Sequence, residues 1–380
     1  MFPFIYPKGM VSIPAYKKFF TLWTYLSALI AIGMIINRCG LIKTLKKPWI
    51  MGVVTYSSLM LFITLLVQHG VHEGFQKIFI TPIICIIFDY SMSKYPSKTI
   101  STFSNILIFL LFLNDTVLNP FLFTRIINSY HVMFLGHVQV ASQYAILGLL
   151  MAVLSLRVNN DKKKCVILSV LSVGTLLMSD TSAGYICLII SAFAFIFQKW
   201  RLIKKIFSSH PAVYAVLTGI ISIVLILSAV KWKWYRYSDL DLTYSGRVFV
   251  WQPAFDLIKE HWLIGYGAFG VLIKTFWSVW NGTNGMNYAH SEIMQNLLDG
   301  GIVLLSCFII MMLIYLSRIG KIKDKRIRYW VIVFLCCFLF LGLFESITEY
   351  FYFYIFLSVA CELYHTDLYY SIIRRVNYGY

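Results

Sequence analysis

Eleven runs of mostly apolar residues recur along the chain, at 19–37, 49–67, 77–92, 102–118, 137–156, 165–180, 183–198, 211–230, 294–316, 329–346 and 350–366. A helix rises about 1.5 Å per residue, so about 20 such residues cross the hydrocarbon core of a bilayer. The runs at 77–92, 165–180 and 183–198 are short or polar at one end. The expected number of spans is therefore about eleven, within a range of about ten to twelve. Backbone groups in lipid must be satisfied within the segment, which makes each run a helix. The pattern predicts an all-α, polytopic membrane protein.

Composition agrees with the pattern: of 380 residues, 59% are hydrophobic and 13% charged, against about 25% charged in soluble domains. The net charge of +17 raises the question of nucleic acid, and position answers it. Most Lys and Arg fall in short clusters between apolar runs, at Arg38 to Lys47, Lys94 to Lys98, Arg157 to Lys164, Lys199 to Lys205, Arg318 to Arg328 and Arg374 to Arg375. Such loops are cytoplasmic by the positive-inside rule, and no nucleic-acid partner is expected. The eight cysteines lie in or beside apolar runs without CxxC spacing, which points to packing and not to zinc or redox chemistry. The opening MFPFIYPKGMVSIPAYKK is too Pro-broken for a cleavable leader. Eleven spans put this segment outside, where Lys8, Lys17 and Lys18 fit the charge rule poorly; a partial interfacial helix over 1–18 is the alternative.

One outward loop is far longer than the rest. Residues 231–293 divide the chain into helices 1–230, the loop, and helices 294–380, and long loops tend to carry function. The loop opens Lys231-Trp232-Lys233-Trp234-Tyr235-Arg236, which suits a headgroup layer and offers Lys233 and Arg236 to a lipid phosphate. After Ser245, Gly246 and Arg247, residues Trp251, Phe255, Ile258 and Trp262 form one helical stripe, read as an amphipathic helix on the outer membrane face, with Pro253 in its first turn. Gly265-Tyr266-Gly267-Ala268-Phe269-Gly270 is a literal GxGxxG, yet no βαβ unit surrounds it. Its glycines are expected to make a tight turn that brings backbone near a substrate.

The stretch NYAHSEIMQNLLDGG closes the loop and enters the next apolar run. His290 lies just before a helix expected to begin near Ser291, where the positive end of the dipole favours an anion and a neutral imidazole able to act as a base. Glu292 is placed to orient the ring or share its task. No HExxH is present, so no metal is expected here.

Ser245-Gly246-Arg247 with Trp251, then Gly265-Tyr266-Gly267 and Gly270, then Ala289-His290-Ser291 with Gly300-Gly301 resembles the O-antigen ligase and Wzy-type polymerase superfamily. The likeness implies a GT-C-like arrangement of helices with one large extracytoplasmic loop. It also implies an enzyme that joins glycans carried on undecaprenyl diphosphate. The superfamily often carries Ser-Arg-Gly at the outer end of a middle span; here Ser182-Ala183-Gly184 stands in that place, leaving Arg125 or Arg236 to supply a second cation.

What the resemblance implies chemically is a base for the acceptor hydroxyl, met by His290, and positive charge for the departing diphosphate, met by Arg247. Substrate contacts are expected from Arg236, Arg125, Lys233, Ser245, Gly246, Trp251, Tyr288, Glu292, Glu345 and Glu349, with sugar stacking on Trp277, Trp280, Tyr350, Phe351 and Tyr352. Glu345 and Glu349, at the outer end of the tenth span, either orient an acceptor or pair with Arg247. No cofactor, nucleotide or metal is needed, because diphosphate is already a good leaving group. The expected partners are the lipid-linked oligosaccharide, the bilayer, a chain-length regulator and a flippase. The expected place is a bacterial inner membrane with the site outside. The leading function is polymerisation of repeat units into O-antigen, capsule or exopolysaccharide. The alternatives are an O-antigen ligase acting on lipid A core, and, in another class, a transporter or flippase, which would line mid-membrane segments with charge.

Overall fold

The computed structural model describes residues 1–38, 40–68, 74–118, 123, 132–207, 210–231, 246–275, 285–286 and 288–364. Helices dominate them: α1 Pro14–Asn37, α2 Leu41–Leu45, α3 Pro48–Gln68, α4 Thr81–Lys94 after a π-helical turn at Gln76–Ile80, and α5 Pro96–Phe112 extended by a second at Leu113–Val117. A two-residue hairpin, β1 Val132–Met133 with β2 Gly136–His137, leads into α6 Val138–Asn159, α7 Lys162–Met178 and α8 Ser182–Phe197. Then follow α9 Arg201–Ile206, α10 Pro211–Val230, α11 Val248–Glu260, α12 Glu292–Gly320, α13 Lys325–Phe344 and α14 Phe351–Glu362.

Each expected apolar run has a helix in its place. Among the described residues, seven helices are long and apolar enough to cross a membrane by length and composition: α1, α3, α5 with its extension, α6, α10, α12 and α13. The chain is a multi-pass membrane protein. Local chemistry sets the helix starts. Pro14, Pro48, Pro96 and Pro211 open α1, α3, α5 and α10, where the missing N–H is an orphan anyway. The carboxylate of Asp161 caps Lys164 N at 3.0 Å, and that of Asp324 caps Arg326 N at 2.8 Å and Ile327 N at 2.9 Å.

Burial divides the helices into core and rim. Helix α6 and helix α14 are buried almost throughout. By contrast Leu22, Leu29 and Ile30 of α1, Phe62 of α3 and Phe195 and Ile196 of α8 are exposed. In water such a surface would be an aggregation liability; facing lipid tails it is an ordinary exterior.

Helix α3 connects two ends that differ in chemistry. Before its first turn, Lys47 Nζ lies 2.5 Å from Asp89 Oδ2 and 2.8 Å from Glu362 Oε1. At its other end Gln68 Nε2 donates to Tyr266 O at 2.9 Å and to Ala268 O at 3.2 Å. Its 21 residues separate these ends by about 30 Å, the thickness of a bilayer core. The sequence reads the middle of the spans as nearly free of charge, and the structure pairs buried charges toward their ends.

Helix α12 is broken at Gly300 (φ −160°, ψ 19°) and Gly301 (φ 62°, ψ −161°). The chain after α11 enters the gap: Ile302 N donates to Trp262 O at 2.9 Å and Tyr266 N to Leu298 O at 2.8 Å. Interrupted helix groups are thus re-satisfied by protein, as membrane depth requires. A Cβ on Gly301 would sit 2.2 Å from the Leu263 carbonyl carbon, and one on Gly265 would sit 2.5 Å from Leu298 O. This revises the expectation for the glycine turn. Its close approach is to the break in α12, which a sequence motif alone cannot reveal.

Residues 1–13 do not form an interfacial helix. After a short turn at Phe2–Phe4 they pack inward, with Phe4, Ile5 and Tyr6 buried and Tyr144 Oη donating to Ile5 O at 2.6 Å. Lys8 N and Gly9 N donate to Leu135 O and Phe134 O, both at 3.1 Å.

Candidate active site

Helix α11 starts at Val248, immediately after Arg247, with Gly246 at φ 82° turning the chain into it. Its stripe is a packing face: Trp251 and Ile258 are buried, whereas Trp262 lies past the helix end and is exposed. Pro253 falls inside the helix and not in its first turn. Trp251 is buried and its indole is engaged by the backbone. Its indole N–H donates to Ala289 O at 3.0 Å, while Ala289 N donates to Gln295 Oε1 at 2.9 Å. The residue before His290 is thus clamped on both backbone atoms. His290 itself adopts φ 50°, a left-handed conformation that a non-glycine residue holds only when its surroundings enforce it.

Glu345 stands at the centre. It follows α13 in extended conformation, buried at 3% exposure. Arg247 Nη2 lies 2.8 Å from its Oε1, and Arg247 Nε donates to Phe344 O at 2.7 Å. His290 Nδ1 lies 3.2 Å from Oε1 and 3.3 Å from Oε2. The Tyr288 hydroxyl donates to Oε2, and its ring meets that of His290 edge-on, 4.4 Å between centroids. Burial alone would raise the Glu345 carboxyl. The hydrogen bond and charge of His290, the charge of Arg247 and the Tyr288 hydroxyl outweigh it and hold the group below its usual range. Burial first, and the charge of Glu345 second, push the Tyr288 hydroxyl well above its usual range, so that it remains a donor.

A carboxylate that accepts from Nδ1–H leaves Nε2 as the bare, basic nitrogen, and among the described residues Nε2 has no hydrogen-bond partner. Glu345 thus occupies the orienting role that the sequence suggested for Glu292. Glu292 is buried and turned elsewhere: it accepts from Thr348 Oγ1 at 2.7 Å, Thr348 N at 3.1 Å and Asn296 Nδ2 at 2.8 Å. Glu292 opens α12, two residues after His290, and the start of the helix turns its carboxylate away from the ring.

Beneath the site lies a group that sequence reading missed. Lys77 Nζ bridges Asp299 Oδ2 at 2.8 Å and Glu349 Oε1 at 3.1 Å. Asp299 Oδ1 accepts from Gln295 Nε2 at 2.9 Å and from Phe269 N at 3.2 Å. The available signal was an ionisable residue inside each of two apolar runs. Glu349 is therefore held by Lys77, and burial above all raises its carboxyl to about 7. Phe351 and Tyr352 are buried and offer no sugar platform; Tyr350 is half-buried. Arg125, Lys233, Arg236, Ser245, Trp277 and Trp280 lie outside the described residues. Among the described residues no group of three or more His, Cys, Asp or Glu is placed to hold a metal ion.

Residues 167–309 match the family model described as O-antigen ligase. That segment is similar to the O-antigen ligase family. The match supports the superfamily resemblance read from the motifs, and with it a ligase or polymerase type of function. It spans Arg247, Tyr288 and His290 and ends before Glu345. No curated protein matches the chain.

Proposed function

We propose that the protein polymerises undecaprenyl-diphosphate-linked oligosaccharide repeat units into a surface polysaccharide. The reaction takes place on the outer face of a bacterial inner membrane, on a site built from loop 231–293 between the two sets of helices. The observation that carries this reading is the convergence of Arg247, Tyr288 and His290 on the single carboxylate of Glu345.

In the reaction, an acceptor sugar hydroxyl attacks the anomeric carbon of the donor. The new C–O bond forms as the bond to diphosphate breaks, the leaving oxygen keeps the electron pair, and the hydroxyl proton passes to His290 Nε2. Glu345 stabilises the imidazolium that results. Arg247, whose planar fork matches phosphate oxygens, opposes the charge gathering on the diphosphate. No nucleotide or metal enters these steps.

A groove of about 360 Å³ supports the reading. It starts at Glu292 and Ile293 and runs between α10, α12 and α13, past Ile220, Ile309 and Leu313. Its lining is almost wholly apolar and suits a polyprenyl tail whose headgroup lies at the site. The charge pattern supports the outer placement, because the Lys-rich loops flank the opposite end of α3. A flippase and a chain-length regulator are the partners this role calls for.

The family description favours a second reading, an O-antigen ligase, which would use the same site to transfer finished glycan to lipid A core. Purified protein in vesicles with lipid-linked repeat units alone separates the readings. A ladder of longer glycans supports polymerisation. Joining only when lipid A core is added supports ligation. Movement of repeat units across the bilayer without joining overturns both and supports a transporter.

A further inference from the structure

Among the described residues, Lys8 has an ammonium with no ion-pair or hydrogen-bond partner. Its backbone N–H is tied to Leu135 O at 3.1 Å, and its side chain is half-buried. The ammonium lies 4.8 Å from the ring centroid of Tyr350 and 5.5 Å from that of Phe351. No carboxylate is within ion-pair distance and no acceptor within hydrogen-bond distance among the described residues. The nearest charged group is Glu349, felt through space, but that carboxylate already gives Oε1 to Lys77 at 3.1 Å. On the hairpin side Lys8 lies beside Gly136, where an added Cβ would sit 3.3 Å from the Lys8 Cβ.

An ammonium carries three donors, and burying charge without an anion is costly. Two aromatic faces offset part of that cost and leave the donors unused. The location suggests what uses them. Tyr350, under the ammonium, lies within electrostatic reach of both Glu345 and Tyr288, and Tyr288 packs against His290. Half-buried side chains therefore run from His290 through Tyr288 and Tyr350 to Lys8.

We infer that Lys8 forms an anion-binding subsite beside the glycan-joining site, taking a phosphate or carboxylate oxygen of the substrate. This rests on the function proposed above, which supplies the anion. Burial lowers the Lys8 ammonium to about 8, although Glu349 opposes the shift. The subsite is therefore charged below about pH 8 and neutral above it. Glu349 and Tyr350 are the titratable groups facing the ammonium, and Glu349 is half ionised near 7.

The test uses the full chain in nanodiscs of neutral lipid. One probe is undecaprenyl diphosphate without sugar; the other is a lipid-free disaccharide carrying one uronic acid. Lys8→Met should weaken one of them about tenfold, as loss of one charge-assisted hydrogen bond does, and Lys8→Arg should keep it. Wild-type binding of that probe should fall between pH 7 and 9, while Lys8→Arg binding should not. Weakened diphosphate assigns the subsite to the lipid headgroup; weakened uronic acid assigns it to an acidic sugar. The inference is overturned if folded Lys8→Met binds both probes as wild type does, or if Lys8→Arg shows the wild-type pH profile. If Arg247→Ala then still abolishes diphosphate binding, the proposed function survives that failure. Wild-type protein that binds neither probe overturns both.

Discussion

His290 Nδ1 lies 3.2 Å from Glu345 Oε1, a contact between residues 55 positions apart. The pair fixes the imidazole tautomer, and the same carboxylate holds Arg247 at 2.8 Å. One buried group thus sets the geometry of both the proposed base and the proposed phosphate contact.

Glu345→Gln keeps the volume of the side chain and removes its charge. The ring loses the partner that holds Nε2 bare, and the imidazolium loses its counter-charge. The expected outcome is a fall in the glycan-joining rate of about 10²-fold or more, with little change in donor affinity. Rates and KM for purified variants check it. An unchanged rate would remove Glu345 from the mechanism.

Lys77→Met leaves Asp299 and Glu349 facing each other without their shared cation. Breaking a buried pair from one side costs about 3–5 kcal/mol. The melting temperature in detergent should fall sharply, and Lys77→Arg should recover part of the loss.

Glu349 gives stability a pH dependence. Its carboxyl is raised from 4.5 to about 7 in the folded protein, burial being the main cause. Between these values the folded state binds a proton that the unfolded state has released. Stability contributed by this group is therefore full below about 4.5, falls as pH rises through about 7, and is flat above it. Thermal unfolding of wild type against Glu349→Gln should show the slope between pH 5 and 7 lessened in the variant.

Gly301→Ala places a methyl against the Leu263 carbonyl carbon at a φ of 62°. Left-handed backbone alone costs about 1–2 kcal/mol for a residue with a Cβ, and the clash adds to it. Gly219, with nothing within 4 Å of an added Cβ, is the control: Gly219→Ala should be neutral or stabilising. Folded yield and melting temperature compare the two.

Much of the helical layout was legible because a membrane helix must be apolar over its own length, a local property. Arg247 and His290 were legible for a similar reason, as motifs in one loop. Their meeting point was legible only in part: pairing of Glu345 with Arg247 was one reading and is observed at 2.8 Å. Its contact with His290 comes from the packing of α13 against the loop, and no spacing rule encodes a contact across 55 positions. Lys77 and Asp299, 222 positions apart, are hidden in the same way. Trp251 misled because a stripe facing protein and a stripe facing lipid have the same period. Glu292 misled because adjacency in sequence to His290 says nothing of where a helical side chain points.

The most direct measurement is glycan joining by His290→Ala and Arg247→Ala proteins, purified, shown to be folded by melting temperature, and supplied with lipid-linked repeat units in vesicles. The account predicts that wild type makes a ladder without added nucleotide and that each variant loses it by about 10²-fold or more. A full ladder from both folded variants would contradict it.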